Sequence, residues 1–439
     1  MSLKGLLFIG LFSSCTIGAL FLPQLGIYGY LSDYCIGSAS QWWARPFQGY
    51  GIRYSFTLAL ATAIGIFLNR GKLRYGQQIL HKHEQLIILF LGIMFLSSVL
   101  GEATTRVFGA TLDSPLVKSG KMVIFMFMMT HVITDRPKFN GLLLTLITVC
   151  LYLGFKAWEM PRSAFVGGRL EGLGGTDFHD ANRFGGFMAG MLFLIGLHFV
   201  RSGLVGRVWC FLAGAFSANA VILTRSRGAL LGIVMGLVVA VFASPKEFRG
   251  RILVGIVCVI LGFFSIMDPQ SIQRSSTVVA SSDERDESSL SRFEIWEGGV
   301  KMLIAHPLIG VGPGNFHQNI GRYQPKHSGR DAHNTFIRCA GELGIAGLSL
   351  LLLIVANAYR ILIACIRDSA KLLPEVGRDM FWVSYGCMAG LTAVLAYGMT
   401  GTLLYSEYFW LFLTLPVCIR RIIDNEFSEV GGQLDELAR

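Results

Sequence analysis

Apolar stretches of about 18 residues or more, enough to cross a roughly 30 Å hydrocarbon core, recur from one end of the chain to the other. They predict spans at roughly 5–23, 53–69, 84–101, 116–134, 140–157, 185–200, 206–223, 228–243, 252–267, 343–360, 380–400 and 404–419. The pattern is that of an all-α polytopic membrane protein of about 12 transmembrane helices, nine within residues 1–267 and three, with a cytoplasmic tail, within 343–439. Residues 24–52, dipping partly into the bilayer, and 158–184 are read as outer connections, and 268–342 as a large helical outer segment between spans 9 and 10.

Placing the N-terminus in the cytoplasm makes every inner connection basic, with Arg70, Lys72, Arg74, Lys82, Arg136, Lys138, Arg201, Lys246, Arg249, Arg251, Arg367, Lys371, Arg378, Arg420 and Arg421 all inside. This is what the positive-inside bias asks, and the even span number returns both termini to the cytoplasm. Three outer segments break the pattern by carrying arginines of their own: 158–184, the turn 224–227, and 268–342.

The segment 268–342 is the long polar stretch of the chain, and loops of this length are usually functional or disordered. Its start, Ser271 to Ser289, is rich in Ser, Asp and Glu. From Ser291 a capping box with Glu294 opens a helix carrying Trp296, Val300, Leu303 and Ile304 at helical spacing until Pro307. This amphipathic helix is expected on the membrane face or on the helix bundle. A second helix is expected from near Asp331 through His333, Ile337 and Ala340, before Gly344 and Gly347 open the tenth span. Between them, Gly310 to Asn315 has the glycine density of a phosphate loop. It lacks a preceding strand and a following Lys-Ser or Lys-Thr, so it reads as a tight turn.

Composition agrees with a lipid solvent: 53% of residues are hydrophobic, 15% are charged, and the mean hydropathy is +0.55. The net charge of +10 would suggest nucleic acid in a soluble protein, but anionic lipid headgroups account for it here. The nine cysteines form no C-x-x-C pair and lie mostly inside apolar runs, as small core residues do. The first apolar run, preceded by Lys4, is read as an uncleaved span.

Candidate chemistry gathers on the outer side. Arg225 and Arg227, in Thr224-Arg225-Ser226-Arg227-Gly228, stand against the charge bias between two apolar spans. Snorkelling would explain them, and so would anion binding at a helix start, a diphosphate being matched by guanidinium forks. In 158–184, Arg169 and Arg183 lie beside Asp180 and Asn182, facing a ligand or pairing only to order the loop. His333, with Asn334 beside it and Glu342 further on, is either a structural histidine or one able to take a proton from a hydroxyl nucleophile. A metal site from His317, His327 and His333 matches no ligand spacing.

Together, Ser291-Arg292-Phe293-Glu294-Ile295-Trp296, Ala305-His306-Pro307-Leu308-Ile309-Gly310-Val311-Gly312-Pro313-Gly314-Asn315-Phe316, Ala332-His333-Asn334-Thr335-Phe336 and Gly341-Glu342-Leu343-Gly344-Ile345-Ala346-Gly347 form a familiar series. The chain resembles the O-antigen ligase and polymerase superfamily of bacterial envelope glycosyltransferases. Ser226-Arg227-Gly228-Ala229 and Asp180-Ala181-Asn182-Arg183-Phe184 look like two further family signatures, although Ala181 departs from the usual Asp-Pro-Asn or Asp-Asn-Asn. The resemblance is specific from about residue 165 to 350 and topological elsewhere.

It implies transfer of glycan from undecaprenyl diphosphate to a hydroxyl acceptor, with neither nucleotide sugar nor metal, on a membrane glycosyltransferase C fold of the bacterial inner membrane with its active site facing the periplasm. By position, Arg227, with Arg225, Arg169 and Arg292, would hold the diphosphate, with Asn334, Asp180 and Asn182 at the substrate. His333 would be the base and Glu342 its support. The clear Ser-Arg-Gly and His-Asn signatures incline the reading to a ligase acting on lipid A-core. Polymerisation of repeat units and transfer of oligosaccharide to protein share the motifs. Outside the family, a transporter of anionic lipid-linked substrate would also use intramembrane arginines, but it normally shows internal repeats, and none is found here.

Overall fold

The computed structural model describes residues 3–44, 51–73, 79–101, 114–161, 163, 165–244, 246–247, 249–250, 253 and 287–437. Among the described residues the chain is almost wholly helical. Its helices are α1 (Leu3–Phe21), α2 (Pro23–Ile36), α3 (Tyr54–Leu68), α4 (Lys82–Leu100), α5 (Pro115–Val132), α6 (Arg136–Glu159), α7 (Ala181–Arg201), α8 (Leu204–Thr224), α9 (Arg227–Phe242), α10 (Glu287–Ala305), α11 (Phe316–Tyr323), α12 (Thr335–Ser369), α13 (Pro374–Gly398) and α14 (Glu407–Leu437). Among the described residues the one sheet is a two-stranded hairpin, β1 (Phe165–Val166) and β2 (Arg169–Leu170).

By length and composition, seven described helices (α1, α4, α6, α7, α8, α12 and α13) could cross a membrane, while α3 and α9 are apolar but shorter. Twelve crossings are therefore not reached by that measure. The expected span 252–267 lies, apart from Leu253, outside the described residues, as does most of the Ser-, Asp- and Glu-rich stretch after it. Large apolar side chains point outward along the bundle, such as Leu204 and Val205 at 80% and 85% exposure. Lipid is the environment in which such a surface is favourable. The eight described cysteines are free thiols, seven of them buried.

The N-terminal region corrects the sequence reading. The connection expected at 24–52 contains α2, which runs antiparallel between α1 and α3. Small residues let the backbones approach: a Cβ on Gly65 would lie 1.9 Å from the Ala19 carbonyl oxygen, and one on Gly26 would lie 2.0 Å from Thr62 Oγ1. Phe8, near the start of α1, packs on Trp43 and Tyr54, so α1 begins at the end of the bundle where α3 begins and α2 finishes. The hydropathy window missed α2 because Gln24, Ser32 and Asp33 interrupt it. The α1 N-terminus thus shares an end with residues 165–180. Single cysteines at Lys4 and Val300 are accordingly expected to react with an impermeant thiol reagent from the same side of the membrane, and one at Lys246 from the other. Labelling of the Lys4 and Lys246 positions from one side would refute this arrangement.

The opposite end of the bundle is held by ion pairs. Arg201 and Arg136 meet Asp379 at 2.5 and 3.3 Å, Arg420 meets Asp368 at 2.7 Å, and Arg421 meets the buried Glu84 at 2.8 Å. Glycines bring α9 onto α13, where a Cβ on Gly232 would lie 2.6 Å from the Ala393 carbonyl oxygen. These contacts fix the helices whose other ends build the site.

Candidate active site

The loop before α7 is anchored by a carboxylate that the sequence reading passed over. Asp177, nearly buried, accepts from Tyr34 Oη at 2.8 Å, Lys118 Nζ at 2.6 Å and the Glu407 N–H at 2.9 Å, tying the loop to α2, α5 and α14. Upstream, Gly167 and Gly168 take φ of +57° and +72° and close the two-residue hairpin between β1 and β2. The hairpin presents Arg169, whose Nε donates to the Thr224 carbonyl at 3.1 Å and whose Nη2 donates to Asn182 Oδ1 at 2.5 Å. Asn182 thus orients a guanidinium. Asp180 caps α7 by accepting the Arg183 N–H at 2.9 Å and remains exposed at the cleft.

The turn between α8 and α9 explains its own sequence. Arg225 ends α8 in the left-handed region, with φ +48° and ψ +36°. A Cβ on Gly168 would lie 2.7 Å from Arg225 Nη1, so that glycine is needed both for its backbone and for the approach of the arginine. Ser226 caps α9 by accepting the Ala229 N–H at 3.3 Å, which leaves Arg227 as the first helical residue. Gly228 packs on the end of α13, where a Cβ would stand 3.1 Å from Tyr397 Cδ2 and 2.2 Å from Oγ1 of Thr400 just beyond the helix.

Residues from Glu287 onward supply further candidate groups. Helix α10 begins at Glu287, four residues ahead of the predicted cap at Ser291, and ends at Ala305 as expected from Pro307. Trp296 Nε1 donates to the Ala332 carbonyl at 2.9 Å and clamps α10 to the turn that carries His333. Burial, then the neighbouring charge of Arg227 and, more weakly, that of Arg169, holds the Arg292 guanidinium below its ordinary pKa. Arg292 is therefore near enough to Arg227 and Arg169 to be influenced by their charges.

His333 is not inside the second helix, as the sequence suggested. It sits before it with φ +46°; Arg225 and His333 are the only described non-glycine residues at positive φ. The helix starts at Thr335 because Asn334 Oδ1 accepts the Phe336 and Ile337 N–H groups at 2.9 and 3.1 Å. Such backbone outliers tend to occur at functional sites. Burial pushes the His333 imidazole below its ordinary pKa. Asp331 and Asp180 work against this, and Arg292 and Arg183 add to it.

Glu342 lies away from the cleft. It is fully buried and accepts from the Gly314 N–H at 2.9 Å, the Phe316 N–H at 3.1 Å, Arg338 Nε at 2.9 Å and the Tyr405 hydroxyl. The glycine-rich loop, with Gly310, Gly312 and Gly314 at positive φ, therefore cradles an anion, and that anion is the protein's own carboxylate at the start of α11. Helix α11 was not predicted, although Phe316, Ile320 and Tyr323 mark its face.

Arg292 thus feels the charges of Arg227 and Arg169, and His333 those of Asp331, Arg292, Asp180 and Arg183, while Arg225 reaches toward Gly168 in the hairpin. Asn182 and Asn334 act as supports, and Glu342 is a buried brace. The histidines considered for a metal are dispersed, His327 being bonded to Glu294 at 2.6 Å. Among the described residues, no group of three or more metal-ligating side chains occurs.

Fold and site give a helical protein with seven described helices long and apolar enough to cross a membrane, and with neighbouring arginines and a histidine toward one end of its bundle. Residues 211–352 match the family described as O-Antigen ligase, and the match supports the O-antigen ligase and polymerase superfamily for this chain. Members of that family are glycosyltransferase-like enzymes, ligases or polymerases. The matched segment contains Arg225, Arg227, Arg292, His333, Asn334 and Glu342, whereas Arg169, Asp180 and Asn182 precede it. No curated protein matches the chain.

Proposed function

We propose that the protein is an O-antigen ligase that transfers glycan from undecaprenyl diphosphate to a hydroxyl of lipid A-core oligosaccharide on the periplasmic side of the inner membrane. The observation that supports this reading is that Arg292 feels the charges of Arg227 and Arg169 and itself acts on His333, which joins arginines and histidine in one electrostatic neighbourhood. The acceptor oxygen attacks the anomeric carbon and forms the new glycosidic bond while the bond from that carbon to the phosphate oxygen breaks. His333 takes the hydroxyl proton, and undecaprenyl diphosphate leaves with the electron pair. Guanidiniums aimed at the diphosphate stabilise the charge that develops there, most effectively where water is scarce.

The test is to combine purified protein with undecaprenyl diphosphate glycan and, separately, with lipid A-core, a second lipid-linked repeat, or an acceptor protein. Product mass sorts ligase from polymerase and protein transferase, and an unconsumed donor in all three reactions would overturn the reading. Transfer is expected to persist in excess EDTA. Its loss, with recovery on adding zinc or magnesium, would show that the arginines do not carry the charge alone.

A further inference from the structure

Resting on the reading of His333 as base, we infer that Asp331 is a positioning residue that holds the His333 turn and strengthens its imidazole as a proton acceptor, itself fixed by a charge chain running back through Arg338 to Glu342. The chain is continuous: Glu342 Oε1 accepts from Arg338 Nε at 2.9 Å, and Arg338 Nη1 donates to Asp331 Oδ1 at 3.1 Å. Its inner end cannot shift cheaply, because the Glu342 side chain is 0% exposed and is bonded to two backbone N–H groups and the Tyr405 hydroxyl. Its other end reaches the surface, the Asp331 side chain being 30% exposed. Between the two ends, Arg338 spans one helical turn of α12, which fixes how far Asp331 stands from the buried brace.

The charged groups facing His333 are Asp331 from its own turn, Arg292 from α10, and Asp180 and Arg183 from the start of α7. Two are anions and two are cations, and of the anions Asp331 exerts the larger effect. Asp331 can serve because it stays ionised: burial pushes its carboxyl up, but the charge of Arg338, followed by Thr402, His333 and Arg183, outweighs that and holds it below the usual carboxylate range. A carboxylate beside a histidine stabilises the imidazolium that forms as the acceptor proton is taken, and so raises basicity. Asp331 stands two residues before a histidine at φ +46°, so pinning it also restrains that backbone.

Diethylpyrocarbonate modifies neutral imidazole, and peptide mass spectrometry reads the rate at His333 alone, without any glycan substrate. On full-length protein, the pH midpoint of His333 labelling is expected to move to lower pH in Asp331→Asn and to return in Asp331→Glu, with binding of undecaprenyl diphosphate unchanged in both. Should Asp331→Asn fail to fold, Asp331→Ser keeps an acceptor for Arg338 without the charge and is expected to shift the midpoint the same way. An unchanged midpoint in a folded, charge-removed variant would overturn the inference, even where His333→Ala is inactive. Normal transfer by His333→Ala would instead overturn the base reading, and the labelling result does not depend on it.

Discussion

His333→Ala is expected to leave a folded protein that still binds undecaprenyl diphosphate and transfers glycan about 10²–10⁴-fold more slowly, the usual cost of removing a general base. The position has no close polar substitute. His333→Gln can orient a hydroxyl but cannot accept its proton at neutral pH, so it is expected to fail similarly. Because His333 has φ +46°, part of any loss in the Ala or Gln variant could come from the backbone. His333→Asn controls for this, since asparagine tolerates the left-handed region, and it too is expected to be inactive. The pH profile adds an independent sign. Burial lowers the pKa of His333, so its neutral, proton-accepting form persists to lower pH than in an ordinary histidine, and the acid limb of kcat/KM is expected below the usual histidine range. Near-normal turnover in His333→Ala would require another base.

Arg227→Lys is expected to lose about 2 kcal/mol or more of transition-state stabilisation, roughly 30-fold in kcat/KM, although the charge is kept. Arg227 is the first residue of α9, behind the Ser226 cap, and its charge is felt by Arg292. A lysine offers the departing diphosphate a point charge in place of a planar fork. Single-turnover measurements with the lipid-linked donor would separate weakened binding from a slower chemical step. Full activity in Arg227→Lys would make this residue a membrane anchor and remove the diphosphate role from it.

The helical membrane architecture was legible because each apolar run has to satisfy its backbone internally and so becomes a helix. The body of the α10 helix was legible from its helical spacing, but the start of α12 was misplaced, because Asn334 caps a helix that begins at Thr335 and leaves Asp331 and His333 outside it. Helix α2 was not legible, since its apolar face is built for close contact through Gly26 and Gly29 instead of for lipid, and hydropathy is blind to that difference. Arg169, Arg225, Arg227, Arg292 and His333 could be singled out because they violate the charge bias or carry a recognisable motif. Asp177, Asp331 and Arg338 could not. Their meaning lies in partners from 4 to 230 positions away, and no local pattern encodes such pairings. Glu342 was singled out by motif, but its task became plain only once its donors were seen to come from the glycine loop, Arg338 and Tyr405.

The wall of guanidiniums has a further consequence under the proposed reading. A cleft lined by Arg169, Arg227 and Arg292 recognises the diphosphate, and the diphosphate is common to the donor and to the lipid left behind after transfer. The spent carrier therefore competes with fresh donor for the same guanidinium forks, and its charge is larger once the glycan has gone. Departure of the spent carrier is thus a step that the same arginines slow, as product release is slow in many enzymes. Sustained flux then depends on whatever withdraws or dephosphorylates the spent lipid at the outer leaflet, which couples the pace of glycan attachment to the recycling of its carrier.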